Sequence, residues 1–194
     1  MSLVYLITHP DVVIDPEVPV PQWPLSVRGK ERMKKMLAQS WIGTIGSVYC
    51  SAEQKAIDGA KVLAEHLAIE YEMVEELGEI DRSSTGYLSY EEHAATADKF
   101  FAHPDKSIRG WEIAKQAQQR IVKAVENIVK NDKGNSDIVI VSHGAVGTLF
   151  LCHLKGCQIS RKEESSGENG GSYYCFETQS NSLVHDWKQI DDGS

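Results

Sequence analysis

The apolar positions of the chain follow two rhythms. Leu3-Val4-Tyr5-Leu6-Ile7 and Asp137-Ile138-Val139-Ile140-Val141 are continuous apolar runs, the pattern of strands covered on both faces in a parallel sheet. Elsewhere the period is that of a helix. Leu25-Ser26 opens one that runs through about Gln39, with Ser26 as its N-cap. Ser47 to Cys50 predicts a short strand leading into an S-x-x-Q capping box, Ser51 to Gln54, and the helix behind it carries the stripe Ala56, Ala60, Leu63 and Leu67. Tyr71 to Leu77 predicts a third strand, and Ser89-Tyr90-Glu91-Glu92 is a second capping box. Ile113, Ala117, Ile121, Val125 and Ile128 mark an amphipathic helix over Trp111 to Lys130. Gly144 to Leu154 predicts a helix closed by Gly156, and Ser172 to Thr178 and Leu183 to Ile190 are β-rich. Alternation of strand and helix predicts an α/β fold. The expected form is a three-layer sandwich, a mostly parallel sheet with helices on both faces, as one domain over residues 1–194.

Three stretches break these rhythms. Asp11 to Trp23 carries Pro16, Pro19 and Pro21, with Pro24 just behind, so an extended loop is expected directly after His9. Ser83 to Pro104 and the polar, Gly-rich stretch Arg161 to Gly171 are read as two more covering loops, the latter mobile. Such loops set substrate specificity, and Trp23, Tyr87, Tyr90 and Trp111 are candidates to line an aromatic subsite.

Charge narrows the partners. With 28 acidic against 20 basic residues, a net charge of −8, the molecule repels polyanions, so neither nucleic acid nor an anionic membrane is an expected partner. No stretch approaches the ~20 apolar residues of a membrane helix. The chain opens on a strand rather than a secretion signal, and a cytoplasmic location is expected. Cys50, Cys152, Cys157 and Cys175 are scattered, without metal-site spacing, and read as small hydrophobes. A β-rich edge near the C-terminus offers a surface for a homodimer.

Both apolar runs end in a histidine. In parallel α/β sheets ligands collect beyond the carboxyl ends of the strands, where helix N-termini present free N–H groups. His9 and His143 fall there, and Gly144 begins a helix whose N-terminus suits an anion such as phosphate.

These residues carry a resemblance. Leu6-Ile7-Thr8-His9-Pro10 resembles the strand and R-H-G turn of the histidine phosphatase (phosphoglycerate mutase-like) superfamily, and Val139 to Gly144 resembles its second V-x-H-G turn. Between them, Leu25 to Gly29 is similar to the L-T-x-x-G helix start, Ser51 to Ala56 to the S-P-L-x-R-A turn, and Glu76 to Ile80 to the E-L-x-E element. Five motifs stand in the right order from Val4 to about Leu154. The resemblance implies that His9 is a nucleophile forming a phosphohistidine, that Glu79 is the general acid and base, and that His143 donates to a phosphoryl oxygen. It implies neither metal nor cofactor, and a small phosphorylated substrate. A mutase would need longer insertions around the site than this chain carries.

Three positions depart from the pattern. Thr8 and Lys55 stand where the family has arginines, and Pro10 replaces a glycine. An arginine fork makes two permanently charged hydrogen bonds to phosphate, whereas threonine offers one neutral hydroxyl and lysine a point charge. Losing one transition-state donor costs about 10²–10³ in rate. Thr8, Lys55, Gly144 and Arg28 are the expected phosphate contacts, with Arg82 and Arg109 as further candidates to restore the missing charge. Two readings follow: a phosphatase of reduced activity, or an impaired domain that binds a phosphorylated ligand or protein without turnover. A metallohydrolase built on His9, His143, His93 and His103 lacks any H-x-H or H-E-x-x-H spacing.

Overall fold

In the computed structural model, which describes residues 2–167 and 169–192, β1 (Leu3–Thr8) and β4 (Asp137–Ser142) lie side by side in parallel. Val4 pairs with Ile138, and Thr8 with Ser142. β2 (Ile45–Cys50) runs parallel to β4 on its other side and to β3 (Tyr71–Met73) beyond. β5 (Ser172–Glu177) and β6 (Leu183–Gln189) complete the sheet antiparallel, giving the order β3-β2-β4-β1-β5-β6.

Side chains alternate across a strand, so each apolar run feeds two cores. Val4, Leu6, Ile138 and Ile140 pack on one face against α3 (Tyr90–Ala102), α4 (Ala114–Asn131) and α5 (Gly144–Leu154). Tyr5, Ile7, Val139 and Val141 pack on the other against α1 (Val27–Met36) and α2 (Gln54–Leu67). The result is the expected α/β sandwich of helices, sheet and helices. Among the described residues no helix is long and apolar enough to cross a membrane.

Ser26 caps α1 as predicted, accepting the Gly29 N–H at 3.1 Å. Three expectations change. The third strand stops at Met73, and Glu75–Leu77 form a 3-10 turn that buries Leu77 and steers the chain toward Glu79. The stretch from Ser83 to Pro104 is not a loop throughout: α3 occupies most of it, capped by Ser89, which accepts the Glu92 N–H at 3.3 Å. The box at Ser51 does not cap α2, whose N-cap is Glu53 without a side-chain hydrogen bond. Ser51 is engaged elsewhere.

Candidate active site

The β1–β4 register places the site. Because Thr8 pairs with Ser142, the next residues leave the sheet together, and the His9 N–H donates to the Ser142 carbonyl at 3.1 Å. The rings of His9 and His143 then lie edge to face with centroids 5.2 Å apart. His9 Nδ1 sits 3.0 Å from the Pro10 carbonyl, which fixes the tautomer with the proton on Nδ1 and leaves Nε2 bare. Gly170 (φ +68°) packs against the His9 carbonyl so closely that a Cβ there would lie 2.2 Å from the oxygen. Only glycine fits both the space and the left-handed backbone.

Burial, with the Lys55 charge adding to it, lowers the His9 imidazole to about 4, so it is neutral at ordinary pH. His143 is fully buried, and burial keeps it well below its ordinary range against the pull of Glu53. Its Nε2 meets the Ser51 hydroxyl at 2.6 Å and Glu53 Oε1 at 3.6 Å, while Nδ1 has no hydrogen-bond partner among the described residues.

Glu53 and Lys55, at the head of α2, form a buried ion pair. Lys55 Nζ also donates to the Val20 carbonyl at 3.0 Å, which ties the proline-rich loop to the site. Glu53 Oε1 accepts the Glu79 N–H at 2.8 Å. Burial alone would raise the Glu53 carboxyl, but His143 and Lys55 outweigh it and hold it at about 2. Glu79 faces the head of α5: its carboxylate accepts from the N–H groups of Ile80 (2.9 Å), Ala145 (3.1 Å) and Val146 (3.1 Å). Burial raises its affinity for a proton against those bonds, and Glu53 adds to the rise.

The expected residues therefore meet in part. His9, Lys55 and Glu79 line one cavity of about 740 Å³, closed by the proline loop with Trp23 and by Tyr87. Thr8, Gly144 and Glu79 line a second of about 270 Å³, with Trp111 in its wall. Thr8 is less available than its motif position suggests, because its hydroxyl accepts the Ser172 N–H at 3.0 Å and donates to the Ser172 carbonyl at 3.3 Å. The N-terminus of α5 expected to hold phosphate is filled at Ala145 and Val146 by Glu79. Arg28 does not come to the site. Its side chain is 68 % exposed on the first turn of α1, 3.5 Å from Asp11, and lines neither cavity. Arg109 is exposed and reaches Thr96 instead. Arg82 lines both cavities, and no ion pair to it is present among the described residues. Its charge, behind burial, helps to lower His93 to about 4. Of the aromatic candidates, Tyr90 is 87 % exposed and lines neither.

Sequence reasoning missed Ser51 as the partner of His143 and Glu53 as the partner of Lys55. The signal for Glu53 was present: it occupies the leucine position of the S-P-L-x-R-A turn. Also unforeseen was Arg32, buried in α1, which binds Asp11 (2.9 Å), Asp191 (3.0 Å) and Gln189 (3.0 Å) and so anchors the start of the loop after His9. Among the described residues no group of three or more His, Cys, Asp or Glu side chains is arranged to hold a metal ion.

Comparison with known proteins bears on the family and the fold. A family model described as histidine phosphatase superfamily (branch 1) matches residues 19–188. No curated protein matches in sequence. Solved structures of similar fold include YhfR of Bacillus stearothermophilus, with 20% identity and TM-score 0.80, covering 100% of this chain and 98% of that one. A phosphoserine phosphatase of Entamoeba histolytica bound to 3-phosphoglyceric acid has 18% identity and TM-score 0.76, covering 99% and 100%. A mycobacterial glucosyl-3-phosphoglycerate phosphatase has 15% identity and TM-score 0.74, covering 97% and 96%.

Proposed function

Since the chain belongs to the histidine phosphatase superfamily (branch 1), for which a phosphatase-type function is the common ground, we propose that it hydrolyses a small phosphomonoester through a phosphohistidine at His9, without a metal. The observation that carries the reading is the meeting of His9 and His143 at 5.2 Å, with Nε2 of His9 left bare and His9 sharing its cavity with the buried carboxyl group of Glu79. His9 Nε2 attacks phosphorus and the P–O bond to the leaving group breaks. Glu79, whose burial favours the protonated form, gives its proton to the departing oxygen. Water then attacks phosphorus, its proton passes to Glu79, the P–N bond breaks and phosphate leaves. His143 Nδ1, the ring nitrogen left without a partner, donates to a phosphoryl oxygen as charge builds there. Arg82, rather than Arg28, supplies the missing cationic contact. The relatives named as phosphatases favour hydrolysis over a mutase reaction.

A second reading rests on Thr8 and Lys55. The Thr8 hydroxyl is held by Ser172 and the Lys55 ammonium by Glu53, so two of the expected phosphate contacts are already satisfied within the protein. A domain so built binds a phosphorylated ligand or protein without turning it over. Hydrolysis of an aryl phosphate in the presence of a chelator separates the two. Activity that vanishes in His9→Ala and rises in Thr8→Arg supports the phosphatase. Inertness of all three proteins, with phosphate still bound, supports the binding domain.

A further inference from the structure

Glu53 is out of place in an anion site. A carboxylate lies among the groups that a phosphate would use: it pairs with the Lys55 ammonium, accepts the Glu79 N–H at 2.8 Å and stands 3.6 Å from His143 Nε2. It lines the same cavity as His9, with its side chain 13 % exposed. We propose that Glu53 is a specificity-determining residue, which makes the cavity take a phosphate group in its singly charged, protonated form in preference to the doubly charged form. This rests on reading the His9 cavity as a phosphate site. A monoanion keeps a P–OH that donates to the Glu53 carboxylate and carries one negative charge toward it. A dianion has no such donor and meets the carboxylate with two charges across a few ångströms, where the buried surroundings screen poorly.

Glu53 shares its cavity with the carboxylates of Glu17, in the proline-rich loop, and Asp81. Asp81 is held below its ordinary range mainly by Ser83, so that it stays charged across the window tested and leaves the pH dependence to the groups that follow. Lys55 of α2 pairs with Glu53, His9 follows β1, and His143 precedes α5. Glu79 and Arg82 come from the segment after β3, and Arg120 of α4 lies close enough for its charge to feel Glu53. Glu53 itself stays ionised and both histidines stay neutral over a window of about pH 5 to 8, the range in which a phosphate group with a second pKa of ~6 gains its second charge. Glu79 is the other group whose ionisation would weaken anion binding there, because burial raises it.

The test is the affinity for inorganic phosphate, by calorimetry, from pH 5 to 8 in the natural protein, Glu79→Gln and Glu53→Gln. Affinity is expected to fall about tenfold across the window in the first two, and to be flat or rising in Glu53→Gln. Glu53→Gln should also bind phosphate about tenfold more tightly than the natural protein at pH 8, since Lys55 is then free to pair with it. The gain should disappear in Glu53→Gln/Lys55→Met. A natural protein whose affinity rises with pH overturns the proposal even if Glu53→Gln fails to fold. A fall that is lost in Glu79→Gln reassigns the effect to Glu79 and overturns it as well. Phosphate bound without any of these dependences removes the role of Glu53 alone, while no binding by any protein removes the phosphate site with it.

Discussion

The Ser51 hydroxyl meets His143 Nε2 at 2.6 Å, joining the end of β2 to the head of α5 beneath the cavity. Both groups are fully buried, so no solvent stands ready to replace either partner. A buried polar group stripped of its partner costs about 1–3 kcal/mol. Ser51→Ala is therefore expected to lower stability by about that amount in urea denaturation. It should also lower kcat, because the ring is no longer held. An unchanged denaturation midpoint would mean that Glu53, at 3.6 Å, takes over the bond.

Acid should weaken the fold through the histidines. Burial lowers His9 and His93 to about 4, below the ~6.5 of an unfolded imidazole. Between those values the unfolded chain binds more protons than the folded one, so stability rises with pH there and is lost as pH falls from about 6.5 toward 4. Urea midpoints at pH 7 and pH 5 measure it. The drop should be smaller in a His93→Ala variant, which removes one contributor, and an equal drop would exclude His93 as a source.

Arg82 and Arg28 make opposite predictions from the same charge. Arg82 lines both cavities beside Glu79, whereas Arg28 stands in solvent against Asp11. Arg82→Ala should weaken phosphate binding tenfold or more, on the scale of about 1.5–3 kcal/mol for a charge-assisted hydrogen bond. Arg28→Ala should change it by less than about twofold, as exposed ion pairs contribute ~0–1 kcal/mol. Calorimetric titration of both variants with inorganic phosphate checks the contrast, and equal losses would defeat it.

How much of this was legible depended on how local the signal was. The runs ending at His9 and His143 were readable because strands buried on both faces leave no polar interruption, and Val4 to Ile7 and Ile138 to Val141 are indeed buried. Arg28 was misplaced because proximity to a motif says nothing about which way a helix turns its side chains. Residue 28 lies on the first turn of α1, facing solvent and Asp11, while Gly29 beside it packs onto the Asp11 carbonyl. Ser51 looked like a helix cap since serine followed by glutamine three residues on is a common cap. The competing partner, His143, lies 92 residues away in sequence. Glu53 stood in plain view at the leucine position of its turn, but what it does there was not local, because its partners Glu79 and His143 come from other segments.

Glu79 offers the sharpest separation of chemistry from binding. Its carboxylate is clamped by the N–H groups of Ile80, Ala145 and Val146, and burial favours its protonated form. Glu79→Gln keeps the size of the side chain and one oxygen to accept the Ile80 and Val146 N–H groups, giving up the bond from Ala145, but it can neither give a proton to a leaving oxygen nor take one from water. General acid–base groups contribute about 10²–10⁴ in rate, so kcat for an alkyl phosphate should fall by that factor. An aryl phosphate, whose leaving oxygen needs less protonation, should lose less. Phosphate affinity should hold or tighten, because a buried carboxyl near the site has become neutral. Equal losses on both esters would point instead to Glu79 holding the head of α5 in place, and the proton would then have to come from another group lining the cavity.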